Sequence, residues 1–316
     1  MSVLVLAGPT ASGKSHWALP LAQRFNAEII SMDSALVYQG MDIGTAKPSA
    51  HEQAQVPHHV LDMVPPSQSY SAARFAQDAQ RAYQAIRARG KRVLVVGGTM
   101  LYHRAWLQGL HPLPPADPAW RQATTERALA LGWPALHAEL VKVDPITAKR
   151  LAPHDSQRIQ RALEVWHVSG KPLSQWHAEA PPAESGPAST LLSLEPSEKP
   201  WLLARIEARL HTMLQQGFLQ EMRQLMHTPG LHPQLPAMRC VGYRQAWQLL
   251  NELGHEHPHL ASRWLELAAI ATRQLAKRQL TWLRSLPQRV VVAADAPDVA
   301  EQLMARAQAH WSQDHA

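Results

Sequence analysis

The residues best equipped for chemistry stand near the start of the chain. Gly8-Pro9-Thr10-Ala11-Ser12-Gly13-Lys14-Ser15 follows the apolar run Val3-Leu4-Val5-Leu6-Ala7 and satisfies the spacing GxxxxGK[ST]. After a buried strand and at the opening of a helix, such a loop turns backbone N–H groups inward around an anion, and the helix N-terminus adds partial positive charge. Lys14 supplies a point charge and the Ser15 hydroxyl a hard oxygen ligand suited to Mg²⁺. ATP is the commonest guest of such a loop, but what the loop recognises is a diphosphate.

Two more groups are expected on the same rim. Asp33 follows the run Glu28-Ile29-Ile30-Ser31, and Thr99 follows Arg92-Val93-Leu94-Val95-Val96 through Gly97-Gly98. The carboxyl ends of parallel strands share one edge of a sheet, where α/β proteins bind their ligands. A carboxylate and a hydroxyl facing a diphosphate suit deprotonation of an incoming nucleophile. A P-loop kinase is expected to end an apolar strand in an acidic Mg²⁺ ligand, whereas this strand runs into Gly97-Gly98-Thr99-Met100-Leu101-Tyr102.

The elements that must position these groups are legible as short β-type runs: Val3 to Leu6, Glu28 to Ser31, His59 to Asp62, Arg92 to Val96, Leu191 to Leu194 and Val290 to Val292. Helical patterns lie between them, so the fold is expected to be α/β, a P-loop NTPase-like, mostly parallel sheet with covering helices. Ser71 is a candidate cap for a helix whose apolar residues Phe75, Ala79, Ala82 and Ile86 have helical spacing and which Gly90 stops. Pro20 falls inside the helix that Gly13 opens, against local propensity. After Leu110 comes a stiff linker, His111-Pro112-Leu113-Pro114-Pro115, and then a helix-rich stretch to about Gly170. Pro172 to Pro200 reads as a long connection carrying the strand at Leu191 to Leu194. These boundaries predict a core in two parts, 1–111 and 189–316, with an all-helical insertion over 112–188. From Trp201 the pattern is again helical, with a long helix from Ala261 to about Leu286. A helical wheel gathers Ala271, Leu275 and Trp282 into an apolar stripe and puts Arg273, Lys277 and Arg284 opposite, a row of cations suited to phosphates. Arg278 falls near the apolar stripe and is expected at the active-site edge or in an internal pair.

Composition narrows the class. Lys and Arg outnumber Asp and Glu by 31 to 25, a formal net charge of +6, which permits a polyanionic partner. The single cysteine, Cys240, excludes an internal disulfide and a multi-cysteine zinc module and suits a reducing compartment. The N-terminus has no basic region or cleavage site, and no apolar run approaches the roughly 20 residues that span a bilayer. A cytoplasmic monomer without membrane contact is expected. The eighteen histidines form no HExxH or Cys/His ligand set, and His58 and His59 are read as structural.

With these residues in view, the sequence resembles the tRNA dimethylallyltransferase (isopentenyltransferase) family along nearly its whole length. The blocks are GPTASGKS at Gly8 to Ser15, DSALVYQGMDIGTAKP at Asp33 to Pro48, PHH at Pro57 to His59, YSAARF at Tyr70 to Phe75 and VGGTMLY at Val96 to Tyr102. QRIQRALEV at Gln157 to Val165, RCVGYRQ at Arg239 to Gln245 and TRQLAKRQLTWLR at Thr272 to Arg284 continue the series. Ser15 stands where threonine is commoner and keeps the hydroxyl. The resemblance implies Mg²⁺, dimethylallyl diphosphate as donor, and the anticodon stem-loop of tRNA as acceptor, modified on N6 of the adenine 3′ of the anticodon in tRNAs that read codons beginning with U.

Position by position, the resemblance implies that Asp33 is the general base, that Thr99 orients the target amine and that Lys14 acts on the leaving diphosphate. Arg205 and Arg209 are candidates to reach that diphosphate. The tRNA-contacting candidates are Asp33, Ser34, Ala35, Leu36, Thr99, Arg121, Gln157, Arg158, Ile159, Gln160, Arg161, Arg239, Cys240, Val241, Gly242, Tyr243, Arg244, Arg273 and Lys277. A prenyltransferase acting on free adenylate, a small-molecule kinase and a non-enzymatic RNA-binding protein are the rival readings. ATP consumption and prenyl diphosphate turnover separate them.

Overall fold

The computed structural model describes residues 2–179 and 186–312. Its first part runs β1 (Val3–Ala7), α1 (Lys14–Arg24), β2 (Ala27–Met32), α2 (Ala50–Gln55), β3 (His58–His59), α3 (Ala72–Ala88), β4 (Arg92–Gly97) and α4 (Met100–His103). Five helices follow: α5 (Pro118–Leu131), α6 (Trp133–Val143), α7 (Pro145–Arg150), α8 (Ser156–Ser169) and α9 (Leu173–Glu179). The chain then forms β5 (Ser189–Glu195), α10 (Lys199–Gln215), α11 (Phe218–Met226), α12 (Tyr243–Leu253), α13 (Leu260–Arg284), β6 (Val290–Ala293) and α14 (Val299–Ser312). Two compact units result, Met1–Leu107 with Gly186–Ala316, and Gln108–Ser185.

In the first unit the strands form one six-stranded sheet in the order β3-β2-β4-β1-β5-β6, every pairing parallel. Side chains alternate across a strand, and here both faces are dry. Val3, Val5 and Ala7 of β1 enter one apolar cluster while Leu4 and Leu6 enter another, all at 0% exposure. Burial on both faces explains the near-continuous apolar runs. The in-register pairs Ala7 with Gly97 and Met32 with Gly97 bring the ends of β1, β2 and β4 level, so the segments beginning at Gly8, Asp33 and Gly98 emerge side by side.

The Ser71 side chain caps α3 by accepting the Arg74 N–H at 3.1 Å. Helix α1 runs through Pro20, which lacks the N–H that would serve the His16 carbonyl. The strand expected over His59 to Asp62 is corrected to His58–His59, because Val60 and Asp62 take left-handed backbone, φ 63° and 52°. Asp62 N–H instead turns to the Leu36 carbonyl at 3.1 Å. His59 Nε2 lies 2.7 Å from Glu28 Oε2, and Arg89 grips the same carboxylate through Nε at 3.0 Å and Nη2 at 2.6 Å. Burial alone would raise the Glu28 pKa, but the bonds from Arg89 and His59 outweigh it and hold the carboxyl below its ordinary value.

The second unit carries helices and no strand among its described residues. Leu136, Leu140, Ile159, Ala162 and Leu163 fill its core. Glu164 is fully buried and receives four donors: Arg121 Nε at 2.7 Å, Arg121 Nη2 at 2.8 Å, Arg161 Nη1 at 2.5 Å and the Asp117 N–H at 2.9 Å. Burial pushes this carboxyl upward, yet the two guanidinium groups and the backbone bond bring it below its ordinary value. The unit begins at Gln108 rather than residue 112, and the connection expected from Pro172 begins with α9; its residues 180–185 lie outside the described residues.

Candidate active site

The phosphate loop is built as its residue types require. Gly13 takes φ 96°, which only glycine adopts without strain, and Ala11 takes φ 64°. Left-handed residues in such a loop let consecutive N–H groups converge on an anion. Lys14 opens α1, and its Nζ donates to the Pro9 carbonyl at 2.7 Å. Burial, reinforced by Arg209 and opposed by Asp33, lowers the Lys14 pKa from 10.5 to about 7. An ammonium held in this way gains from any anion that enters.

Helix α10 approaches the loop from outside. Arg205 Nε donates to the Ala11 carbonyl at 2.8 Å, and its guanidinium lies 4.8 Å from the Trp201 ring centroid. One turn on, Arg209 reaches Thr10 Oγ1 at 3.5 Å and the Thr45 carbonyl at 3.1 Å. Burial lowers the Arg209 pKa, with Asp33 opposing.

A cavity of about 480 Å³ opens beside the loop and includes Thr10, Lys14, Ser15, Arg209, Asp33 and Thr99 in its wall. Asp33 Oδ1 accepts the Ala35 N–H at 2.8 Å, an Asx turn that fixes the carboxylate. Thr99 precedes α4, but its hydroxyl makes no cap bond. Thr99 Oγ1 instead accepts the Ser34 N–H at 3.0 Å and lies 3.3 Å from Ser34 Oγ. The carboxylate and the hydroxyl are thus carried by two turns bonded to each other. Opposite them, Glu221 accepts the N–H groups of Asp42, Ile43 and Gly44 at 2.9, 2.7 and 3.1 Å and the Tyr243 hydroxyl at 2.7 Å. This carboxylate holds the 42–45 segment against α11 and α12, which places the Thr45 carbonyl under Arg209.

The chain belongs to the IPP transferase family. A model of that family, described as IPP transferase, matches residues 36–286. The tRNA dimethylallyltransferase of Methylibium petroleiphilum is 57% identical over 309 residues, covering 97% of this chain and 94% of the relative. That of Leptothrix cholodnii is 54% identical, covering 98% and 95%. Among solved structures, the tRNA isopentenylpyrophosphate transferase of Bacillus halodurans superposes with TM-score 0.67 at 29% identity, covering 100% of this chain and 99% of that one. A eukaryotic dimethylallyltransferase, captured acting on tRNA, gives TM-score 0.80 at 28% identity, covering 99% of this chain and 80% of its own.

About half of the candidate site residues read from the sequence come together in this IPP transferase cavity. Asp33, Ser34, Ala35, Leu36 and Thr99 line it, as do Arg239, Cys240, Val241, Gly242 and Tyr243. Burial, with Asp33 adding, pushes the Cys240 thiol up to about 12, which disfavours the thiolate that a nucleophile requires. Arg278 also lines the cavity, as its place on the wheel implied. Arg244 is exposed and lies outside the wall.

The other candidates are placed as follows, with corrections at Ile159 and Trp282. Ile159 is fully buried in the helical unit and has no surface to offer RNA. Arg121 and Arg161 are committed to Glu164, and Arg161 Nη2 also donates to the Pro114 carbonyl at 2.7 Å. Gln160 Nε2 donates to the Arg121 carbonyl at 3.0 Å, while Gln157 and Arg158 face solvent, Arg158 beside Asp155. On α13, Trp282 is 38% exposed and Leu283, not Trp282, enters the core at 0%. Arg273 is paired with Glu207 at 2.9 Å, whereas Lys277 is exposed. Gln279 and Glu221 were not singled out at all. Gln279 has no side-chain type that announces chemistry and Glu221 stands in no motif that does, so only the packing of α13 and α11 gives them their partners.

Proposed function

We propose that the protein transfers the dimethylallyl group of dimethylallyl diphosphate to N6 of the adenine 3′ of the anticodon in tRNAs reading codons that begin with U. The observation that carries this reading is the cavity, which brings Lys14 of a diphosphate-type loop to the same wall as Asp33 and Thr99. The diphosphate lies over the loop amides, with Lys14 and Arg209 meeting the charge that grows on it as the allylic C–O bond breaks. The electrophilic carbon projects into the cavity toward the Asp33 turn. Thr99 orients the adenine amine, Asp33 accepts its proton, and the cavity wall keeps water from the allylic carbon. An adenine in a loop is unstacked at lower cost than one in a helix.

The donor set suits Mg²⁺. The Ser15 hydroxyl is a hard oxygen in the cavity wall beside the phosphate loop, and no cluster of three His, Cys, Asp or Glu able to hold a metal occurs among the described residues. Mg²⁺ commonly takes one or two protein oxygens and completes its shell with phosphate and water. When bound there it supplies neutralisation of the departing diphosphate. Exposed Gln157, Arg158, Arg239, Arg244 and Lys277 are candidates for tRNA contact. Among the described residues no helix is long and apolar enough to cross a membrane. The proposed tRNA acceptor is the ground on which we assign the activity to the cytoplasm, with the chain acting as a monomer.

The test is incubation with radiolabelled dimethylallyl diphosphate and unmodified tRNA, followed by nucleoside analysis. Label in N6-dimethylallyladenosine next to the anticodon is expected, with ATP neither required nor consumed. Transfer to free AMP but not to tRNA, or stoichiometric ADP, overturns the assignment.

A further inference from the structure

One side chain touches both halves of the site without belonging to either. Gln279 of α13 accepts the Thr10 N–H on Oε1 at 2.8 Å and donates from Nε2 to the Gly98 carbonyl at 3.1 Å. Thr10 N–H can only donate and Gly98 O can only accept, so the orientation of the amide is fixed by its partners. The approach is close: a Cβ on Gly98 would lie 2.4 Å from Gln279 Nε2. A side chain at 98 would therefore displace the Gln279 amide from both of its partners, with the Gly8 carbonyl 3.0 Å from the same Cβ position.

The two partners lead to opposite ends of the reaction. Thr10 belongs to the phosphate loop, and its hydroxyl faces Arg209. Gly98 immediately precedes Thr99, whose hydroxyl holds the Ser34 N–H beside Asp33. Thr272, Leu275 and Arg278 lie on the cavity wall with Gln279, so α13 presents this residue from a face already committed to the site. β1 and β4 are paired as far as Ala7 and Gly97, and beyond that pairing Gln279 is a hydrogen-bonding side chain that spans the turn after β1 and the turn after β4. In-line displacement depends on the separation of those turns, since a misplacement of about 1 Å can cost on the order of 100-fold in rate.

We propose that Gln279 is a positioning residue: it ties the phosphate loop to the Gly97-Gly98-Thr99 turn so that the diphosphate and the acceptor amine are held at a fixed distance. The inference rests on the function proposed above. Its consequence is a division of labour among the loop amides. Thr10 N–H is spent on Gln279, which leaves the anion to the amides that follow it and to Lys14.

The experiment compares wild type with Gln279→Leu, which removes both bonds, and with Gln279→Glu, which keeps the size and the acceptor for Thr10 but loses the donor to Gly98. Four readouts are taken: kcat with saturating dimethylallyl diphosphate and tRNA, pyrophosphate affinity by calorimetry, Tm, and hydrogen exchange in the peptides covering residues 3–15 and 92–102. Gln279→Leu is expected to lower kcat by about 30- to 100-fold. Pyrophosphate affinity should weaken by less than about fivefold, because the remaining amides and Lys14 persist. Exchange should rise in both peptides, and in Gln279→Glu mainly in the second. Combining Gln279→Leu with Thr99→Ala should cost little more than the worse single change, since both act on one turn. A purely structural glutamine would lower Tm, leave kcat per folded molecule within about threefold and let the two substitutions multiply; either of the last two results overturns the proposal. Wild-type turnover in the same series reports on the proposed reaction by itself. The exchange measurement judges the tie even if that reaction fails, and unchanged exchange in both peptides overturns it.

Discussion

Lys14 offers a test of the diphosphate site that needs no turnover. Its ammonium sits in the cavity wall against the Pro9 carbonyl, and burial, with Arg209 adding to it, brings its pKa from 10.5 to about 7. At pH 8 only about a tenth of the molecules then carry the charge. An anion on the loop prefers the ammonium, so binding above pH 7 must draw a proton from solution. If the complex returns Lys14 to its ordinary value, apparent affinity for pyrophosphate weakens by about tenfold per pH unit above 7, or about 100-fold at pH 9. Calorimetric titration with pyrophosphate at pH 7, 8 and 9, in buffers of different ionisation enthalpy, measures both the affinity and the protons taken up. Lys14→Met supplies the reference that removes the ligand's own titration. Stability follows with a definite sign: between pH 7 and 10.5 the unfolded chain holds a lysine proton that the folded protein has released, so stability rises with pH across that window. Below pH 7 the folded protein bears the full unfavourable charge, and Lys14→Met should raise Tm there. A pyrophosphate affinity that stays flat from pH 7 to 9 after subtraction, with no proton uptake, would refute the argument.

Asp33→Asn keeps the Oδ1 acceptor for Ala35 N–H, so pyrophosphate affinity should hold while turnover with tRNA falls by about 10²- to 10⁴-fold; a loss below about tenfold shows that Asp33 is not the base. Arg121→Ala leaves fully buried Glu164 short of two donors and should destabilise the helical unit in urea by about 3–5 kcal/mol, most of it returned when Glu164→Met is added. A loss below about 1 kcal/mol would return Arg121 to the surface-cation reading. Glu28→Gln should cost about 1–3 kcal/mol at pH 7. Because the Glu28 carboxyl is held below its ordinary 4.5, wild type loses this advantage only as pH falls through the depressed value, so denaturation curves of the two proteins should converge under acid; a gap that persists at pH 2 refutes the charge-based account.

What the sequence disclosed was local. The phosphate loop, the Ser71 cap and the doubly buried strands are each specified by neighbours within a few residues, and each is formed as those neighbours require. The end of β3 was not legible, because the left-handed turn at Val60 and Asp62 is supported by backbone bonds to the distant Leu36 and Val37. On α13 the buried residue is Leu283 and not Trp282, its neighbour about 100° away on a wheel, because the packing partner, not the apolar count, selects the buried one. Arg121 and Arg161 look like RNA-facing cations until Glu164 is found between them, since a buried acid on an amphipathic helix has no local signature. Arg205 and Arg209 were both read as candidates for the diphosphate, and the sequence did not choose between them; Arg209 is the one in the cavity wall. That its charge meets the loop depends on the docking of α10, a tertiary fact.

The arrangement explains why a loop familiar from phosphoryl transfer can serve prenyl transfer. In a kinase the loop holds the group that moves, so an acidic residue at a strand end must bring Mg²⁺ to the phosphate under attack. In the proposed reaction the loop holds the group that leaves. The attacked carbon lies beyond the diphosphate, and the neighbouring strand ends must serve the nucleophile. After β2 the chain supplies Asp33, set by its own Asx turn. After β4 it supplies no carboxylate but two glycines, the second admitting Gln279 and thereby fixing where Thr99 stands. Replacing the acid at that strand end with a glycine turn removes a phosphate-directed charge and gains a hydroxyl aligned with the base. On this view the change from phosphoryl to prenyl chemistry lies in those few residues at the sheet edge, while the loop itself is retained.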